Sequence, residues 1–453
     1  MRAPPRISVC IPARDAARHL PTALASALAQ PVDGLEVIVG DDASADGTAA
    51  VVASCGDRRV RSLRHRAPVG VAANRNACLA LARGRYVAWL DADDEYLPGA
   101  LAHQVAVLDA HPEVALVHGG LEVIDERGRR LPAWGAPFDG DAVEPSRTAF
   151  RHLIAANELT TSTVVARRSA HAAVGPFAPE IGPSSTDWHM WLRLALRGPL
   201  AYSARPVARY RQHRHTISRA TSQNGERLRC DVRVAARALR EPARPPGTAR
   251  LATAALAAKA LLHAGDLYTG GRREEALAAV TLAGRLGATV TELSPATRRG
   301  DDAACASLTK ETLRRLAGRL EGTRFGARVR HLAATDPAWD AALARAGRAV
   351  AHATPPGAVV AAIAKWDPTL LATAGRAGCN YPDRELMPDG YPCSGAEAAA
   401  HLEALRRTRG VTHLAVPPVS AWWLEHYPEL AERLSRIGAD DGQCAIFELG
   451  GTR

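Results

Sequence analysis

Lysine is almost missing from this 453-residue chain: Lys259, Lys310 and Lys365 are the whole supply, and arginine carries the rest of its 57 Lys and Arg charges. That bias reflects GC-rich coding more than function. No CxxC pair occurs among the eight cysteines, Cys10, Cys55, Cys78, Cys230, Cys305, Cys379, Cys393 and Cys444, which removes zinc-finger spacing and argues for a reducing compartment without a disulfide frame. Several of them sit in apolar runs, where a free thiol packs as a small hydrophobe. No run of about 18 apolar residues offers a membrane span, and the apolar stretch in the opening MRAPPRISVCIPARD is too short for a signal peptide. An RNA-recognition signature and a basic zipper are also absent, and the arginines are scattered, so nucleic acid is not an expected partner.

The composition itself, 47% apolar and 23% charged, is that of an ordinary globular protein. Its length exceeds what one hydrophobic core serves, which implies more than one domain. A formal net charge of +10 favours anionic partners: a nucleotide diphosphate, a phospholipid-linked acceptor or a membrane surface. A cytoplasmic protein is expected, with peripheral membrane association through a partner or surface charge left open.

Strand and helix patterns alternate at the start. ISVCIP (7–12), EVIVG (36–40), a short stretch at 60–63 and YVAW from 86 read as strands, with helices over 15–29, 43–54 and 70–83. Continuous apolar strands separated by helices predict an α/β fold with a parallel sheet covered on both faces, and its ligands belong beyond the strands' carboxyl ends. Three polar clusters fall there: ARD after the first strand, DDASADGT after the second and DADD after the fourth.

Residues 226–350 are Ala- and Arg-rich with helical spacing and read as a connector. One helix pair at 250–286 resembles a single tetratricopeptide repeat, but no second copy follows. From 351 to 453 a small α/β domain is expected: a strand at 358–364, a helix opened by a capping box of Ser394 and Glu397, a strand at VTHLAVP, a helix over SAWWLEHYPELAERLSRI and a closing strand at CAIFEL. Trp422 and Trp423 fit a helix start packing onto the sheet better than a carbohydrate platform. No GxGxxG follows these strands, so no dinucleotide is inferred.

The carboxylates of Asp91, Asp93 and Asp94 are hard oxygen donors suited to Mg²⁺ or Mn²⁺, although such loops also serve as turns and helix caps.

Taken in series, the motifs resemble family 2 glycosyltransferases of the GT-A fold. The match runs through Pro12; Asp41, Asp42, Ser44, Asp46, Gly47 and Thr48; Gly70, Arg75 and Asn76; and Asp91 and Asp93. The resemblance implies a catalytic domain over 1–225, a nucleotide pocket lined by Pro12, Ala13, Arg14, Asp41 and Asp42, and Arg75 near the base or diphosphate. Capping of the following helix by Asp42, Ser44 or Asp46 is compatible with that role.

Further on, SSTDWHMWLRLALRG resembles the family's Glu-Asp-Trp helix start, which puts Asp187 at the general base of an inverting displacement. Thr186 and His189 depart from the family's usual acidic residues. Trp188 and Trp191 read as core at helical spacing. In ARYRQHRHTIS the resemblance marks His213 as a metal-ligand or diphosphate-contacting histidine beside Asp93, with Tyr210 and Arg211 supporting the loop; His215 has no such support. Asn157 and Ser162 match polar positions on the acceptor side, where strand-edge hydrogen bonding is an equal account. The last domain resembles a module appended to such transferases.

The reading is therefore transfer from a nucleotide-sugar donor, UDP-sugar favoured, to a glycan or lipid-linked acceptor in polysaccharide biosynthesis. Two rivals stand beside it. A nucleotidyltransferase would carry a Gly-rich phosphate loop after the first strand, and PARDAARHL has none. A catalytically degenerate, glycan-binding or scaffold subunit is opposed by intact Asp91, Asp93 and Asp187.

Overall fold

The computed structural model describes residues 4–131, 138–213, 216–223, 225–269, 318–333, 337–364, 369–381, 395–432, 434–437 and 444–449, with isolated residues between 279 and 316. The chain divides into two units, 1–252 and 253–453.

The first unit is built on a ten-stranded mixed sheet. Its first half is the expected one: β1 (Ile7–Ala13), β2 (Leu35–Asp41), β3 (Val60–Arg64) and β4 (Tyr86–Trp89) are parallel, with β1 between β2 and β4 and β3 at the edge. The crossovers are α1 (Leu20–Leu28), α2 (Thr48–Ser54) and α3 (Val71–Leu81). Beyond β4 come β5 (Glu95–Tyr96), α4 (Ala100–Ala110), β6 (Leu116–Ile124), β7 (Arg130–Leu131), β8 (Ala142–Glu144), α5 (Ser146–Ala155), β9 (Val165–Arg167), α6 (Arg168–Val174), α7 (Thr186–Ala195) and β10 (Leu200–Arg211). Strand β9 runs antiparallel between β4 and β6, which is where the sheet departs from the all-parallel expectation.

Burial explains the layering. Every residue of β2 and β4 is buried, as a strand covered on both faces requires. Helix α1 buries Leu20, Ala23, Leu24 and Ala27, the i, i+3, i+4, i+7 stripe of a helix lying on a sheet. Truncating Leu24 there would cost about 2–5 kcal/mol. Helix α3 is different, since its buried face includes Asn74 and Arg75 beside Ala72 and Cys78. Asn74 Nδ2 donates to the Gly40 carbonyl (2.8 Å), and a Cβ at Gly40 would strike Asn74 and Cys78, so the glycine lets α3 approach β2.

Helices α1 and α2 begin later than their sequence patterns suggest, at 20 and 48 rather than 15 and 43. The intervening residues spend their polar groups binding loop to loop. Helix α8 (Ile217–Gln223) and α9 (Glu226–Ala238) follow β10, and α9 packs on α7 within the first unit, so residues expected to open the connector belong structurally to the unit before it.

Helix α10 (Thr248–Thr269) spans the division; the second half of the repeat-like pair lies largely outside the described residues. The second unit carries a five-stranded sheet in the order β12 (Ala377–Asn380), β11 (Val359–Ala362), β13 (His413–Val416), β15 (Ala445–Glu448), β14 (Ser435–Ile437). The first three strands are parallel and the last two pair antiparallel. Ser394 of the expected capping box lies outside the described residues; its helix runs Gly395–Arg409.

The single helix expected over 420–437 is broken. It runs Trp422–His426, stops at Tyr427 (φ −123°, ψ 70°), resumes over Pro428–Ala431 and gives way to β14. Pro428 is the reason, because it lacks an amide hydrogen and drives the residue before it out of the helical region. Trp423 is buried against Tyr381 and Tyr427, with ring centroids 5.4 and 4.7 Å away, as expected of a core residue.

Candidate active site

At the carboxyl ends of β1 and β2 two loops are laced together. Asp15 donates its amide to Ser44 Oγ (2.9 Å) and accepts the Ala45 amide at Oδ1 (2.8 Å). The Ala16 amide reaches Thr48 Oγ1 and the Ala17 amide reaches Asp46 Oδ2. Asp46 Oδ1 also accepts the Thr48 amide, 2.9 Å, so it serves the first turn of α2 as well as the opposite loop. Gly47 is the N-cap of α2 and has no side chain to give, so Asp46 supplies a turn bond just before the helix together with the inter-loop clasp.

The two neighbouring carboxylates have different tasks. Asp42 accepts the amides of Val69 (2.6 Å) and Gly70 (3.0 Å), fixing the segment that opens α3, while exposed Arg14 stands 4.0 Å from it. Asp41 is equally buried; its Oδ1 takes the Ser44 amide, and its Oδ2 lies 3.3 Å from Arg64 Nε without forming a hydrogen bond. Asp41 is thus sealed in the protein, with Arg64 as its charged neighbour, close to Ala13, whose carbonyl takes the Asp42 amide. Pro12, partly buried, sits in register with Gly40 at the base of this corner.

Arg75 comes off α3 into the acidic cluster. Its guanidinium, 7% exposed, binds Asp91 Oδ1 (3.1 Å), Thr186 Oγ1 (3.3 Å) and Thr161 Oγ1 (3.5 Å), and Nε has no partner. The Phe177 ring backs it at 5.7 Å, and the Asn76 side chain pins Phe177 through both its backbone amide and carbonyl. Asp91 keeps nearly a third of its side chain open to the cleft. Desolvation raises its pKa, and repulsion from Asp93 and Asp187 adds to the rise against the pull of Arg75.

The remaining members of DADD divide the labour. Asp94 is buried and structural, accepting Ser162 Oγ (2.5 Å) and the Arg211 amide (2.8 Å), and desolvation pushes its carboxyl well up. Asp93 faces the cleft and contacts His213 Nε2 at 2.8 Å. His213 stacks on His19, the residue before α1, with centroids 5.5 Å apart. Among the described residues no three or more His, Cys, Asp or Glu side chains form a metal cage. Asp93 and His213 are instead a two-donor set, one hard oxygen and one imidazole nitrogen.

Asp187 is the second residue of α7. Its Oδ2 accepts Asn157 Nδ2 and Thr161 Oγ1, both at 3.2 Å, and among the described residues no hydrogen bond reaches Oδ1. Thr161 thus touches both Arg75 and Asp187, tying the fourth strand's acidic loop to the base candidate. Three non-glycine residues have a positive φ among the described residues: Asp15 (49°), Ala43 (55°) and Ser185 (65°). All three lie in the loops that deliver these groups, the pattern of backbone strain held at a working site.

The family model for "Glycosyl transferase family 2" matches residues 8–171. That segment belongs to the family. A Rickettsia felis protein described as a glycosyltransferase is 27% identical over 231 residues, 50% of this chain and 37% of its own length. A Mycobacterium tuberculosis protein is 32% identical over 192 residues, 40% of this chain and 51% of its own. The Bacillus subtilis protein EpsE, named as a glycosyltransferase, is 33% identical over 34% of this chain and 60% of its own. The chain thus matches about a third to three fifths of the length of these curated relatives. Among solved structures, Staphylococcus aureus TarS 1–349 in complex with UDP-GlcNAc has a TM-score of 0.48 at 15% identity, covering 68% of this chain and 92% of its own.

The family match contains every sequence-predicted site residue up to Asp93 and ends before Asp187 and His213. The structure brings both of these to the acidic cluster all the same. Trp188 donates to the Leu153 carbonyl (2.6 Å) and Trp191 is fully buried, so both are core. Ser162 anchors Asp94 and the Asp91 amide, whereas Asn157 touches Asp187 itself. His215 lies outside the described residues. Thr161, Phe177 and His19 were not singled out by sequence; their neighbours in the cleft come from distant segments, and no local pattern announces them.

Proposed function

We propose that the chain is an inverting transferase that moves a sugar from a nucleotide-diphosphate donor, UDP-sugar by preference, to a glycan or lipid-linked acceptor. The observation that carries this is the convergence of Asp187 and Asp91 through Arg75, Thr161 and Thr186 at the carboxyl edge of the sheet. A base must reach the acceptor hydroxyl, across the anomeric carbon from the leaving group, without being neutralised by its own ion pair, and Asp187 is held by two neutral donors that leave Oδ1 open.

In the reaction the acceptor oxygen attacks the anomeric carbon, its proton passes to Asp187 Oδ1, and the bond from that carbon to the diphosphate breaks. The nucleoside diphosphate departs with the bonding pair. Asp41 and Asp42 line the corner assigned to the nucleoside, where a carboxylate suits a uracil imino hydrogen or ribose hydroxyls, and exposed Arg14 stands at its rim. Asp93 and His213 suit Mg²⁺ or Mn²⁺, which takes few protein ligands when phosphate oxygens complete the shell. The ion would supply charge to the leaving diphosphate.

Among the described residues no helix is long and apolar enough to cross a membrane. Cytoplasmic action, with arginine-rich surface charge serving peripheral association, belongs to the same proposal.

Calorimetric titration of nucleoside diphosphates into the parent and Asp93→Ala, with Mn²⁺ or with chelator, tests it. UDP binding that weakens without metal or without Asp93 supports the reading. A folded parent that binds no diphosphate in any condition overturns it in favour of a glycan-binding or scaffold subunit.

A further inference from the structure

Ser185 occupies the position before the first turn of α7, where serine ordinarily turns its hydroxyl onto a helix amide. It does not cap here. Its backbone is left-handed (φ 65°, ψ 7°), and its Oγ donates away from α7 to Asp231 Oδ1 on α9 at 2.9 Å. Asp231 is buried, an expensive place for a carboxylate that serves only surface chemistry.

The rest of α9 holds the same loop. Arg233 Nη1 donates to the Ile181 carbonyl (3.1 Å), Arg237 pairs with Glu180, and Gly182 (φ 114°) lies so close to Cys230 that a Cβ would stand 2.7 Å from its sulfur. Four side chains from one helix thus define residues 180–185, immediately before Asp187.

We infer that Asp231 is a positioning residue: through the Ser185 hydroxyl it holds the left-handed turn that aims the Asp187 carboxylate at the acceptor. This rests on the transferase reading above. The chemistry favours it over plain helix packing, because a serine in this position has given up its cap and accepted a conformation disfavoured for any residue with a Cβ. A glycine would hold the left-handed turn without strain but could not anchor it to α9.

The test uses the full chain with Asp231→Ala, Asp231→Asn, Ser185→Ala and Ser185→Gly, each checked for folding by its melting temperature. The expected result is a kcat at least tenfold lower in Asp231→Ala and Ser185→Ala, with donor KM and UDP affinity within twofold of the parent. Ser185→Gly should lose at least threefold less than Ser185→Ala, and Asp231→Asn, which keeps an acceptor oxygen, should lose less than Asp231→Ala. Amide hydrogen exchange over 186–189 should quicken at least tenfold in Asp231→Ala.

The inference is overturned if exchange at 186–189 is unchanged in Asp231→Ala, or if kcat and UDP affinity fall in parallel. A parent without transfer activity sinks the reading of function alone, and hydrogen exchange then decides the positioning claim independently.

Discussion

Two parallel α/β edges can be compared within this chain. At the first, the carboxyl ends of β1, β2 and β4 release loops that hold Asp41, Asp42, Asp91 and Asp93, and strained backbone at Asp15 and Ala43. At the second, Tyr381 directly follows β12, donating to the Ala398 carbonyl and packing on Trp423, while Ile363 and Ala364 follow β11 and Pro417 and Pro418 follow β13. The buried His401 nearby has no hydrogen bond on either ring nitrogen. The same strand–helix logic supplies an edge in both units, and among the described residues the clustered carboxylates lie at the first; residues 365–368 and 382–394, which follow β11 and β12, lie outside them. Architecture offers the location; loop chemistry decides whether it is used.

The comparison breaks most sharply at Asp187. Asp187→Asn should lower kcat by about 10²–10⁴-fold while leaving UDP affinity intact, measured as nucleotide release against calorimetric binding. A variant retaining kcat within threefold would remove the base from the first edge. At the second edge, Trp423→Ala should cost about 3–5 kcal/mol in urea unfolding of that unit. Unchanged UDP binding in that variant would sharpen the contrast, and its loss would show that the two units depend on each other.

Buried imidazoles give a smaller effect with a definite sign. Burial pushes His171 in the first unit down to about 3, and it lies in a ring cluster with Trp89 and Phe177. Unfolded, it returns to about 6.5. Below that value the unfolded chain binds a proton that the folded chain refuses, so stability falls as pH drops from 7 towards 3. By pH 5 the loss is about 2 kcal/mol. His171→Gln should reduce the difference in urea stability between pH 7 and pH 5 by about that amount, and an unchanged difference would mean the ring is not held neutral.

Ala43→Gly is the smallest change. Relief of the left-handed alanine should raise stability by up to about 1 kcal/mol, read from the urea midpoint, with UDP affinity unaltered. A fall in stability would show that the turn is not strained.

Much of the first edge was legible because its residues lie in short local motifs. DDASADGT and DADD each follow an apolar strand, and the order of β1 to β4 follows from short crossovers. The placement of β9 between β4 and β6 was not legible, since antiparallel pairing between segments so far apart leaves no local signature. Thr161 escaped for the same reason: a threonine becomes notable only when Arg75 and Asp187 arrive from other elements. The break at Pro428 could have been foreseen from proline alone, but the apolar spacing around it outweighed that signal. Ser185 reads as an ordinary cap until its φ is known.

The bonds from Asp42 to the amides of Val69 and Gly70 hang the start of α3 from the loop after β2. One turn further along that helix is Arg75, gripping Asp91 and Thr186. The helix therefore joins the Asp42 corner to the acidic cluster as one part, and under the proposed function these are the nucleoside and diphosphate ends of a donor. Substitutions that loosen the Asp42 bonds should therefore be felt at Arg75, although the two residues make no direct contact.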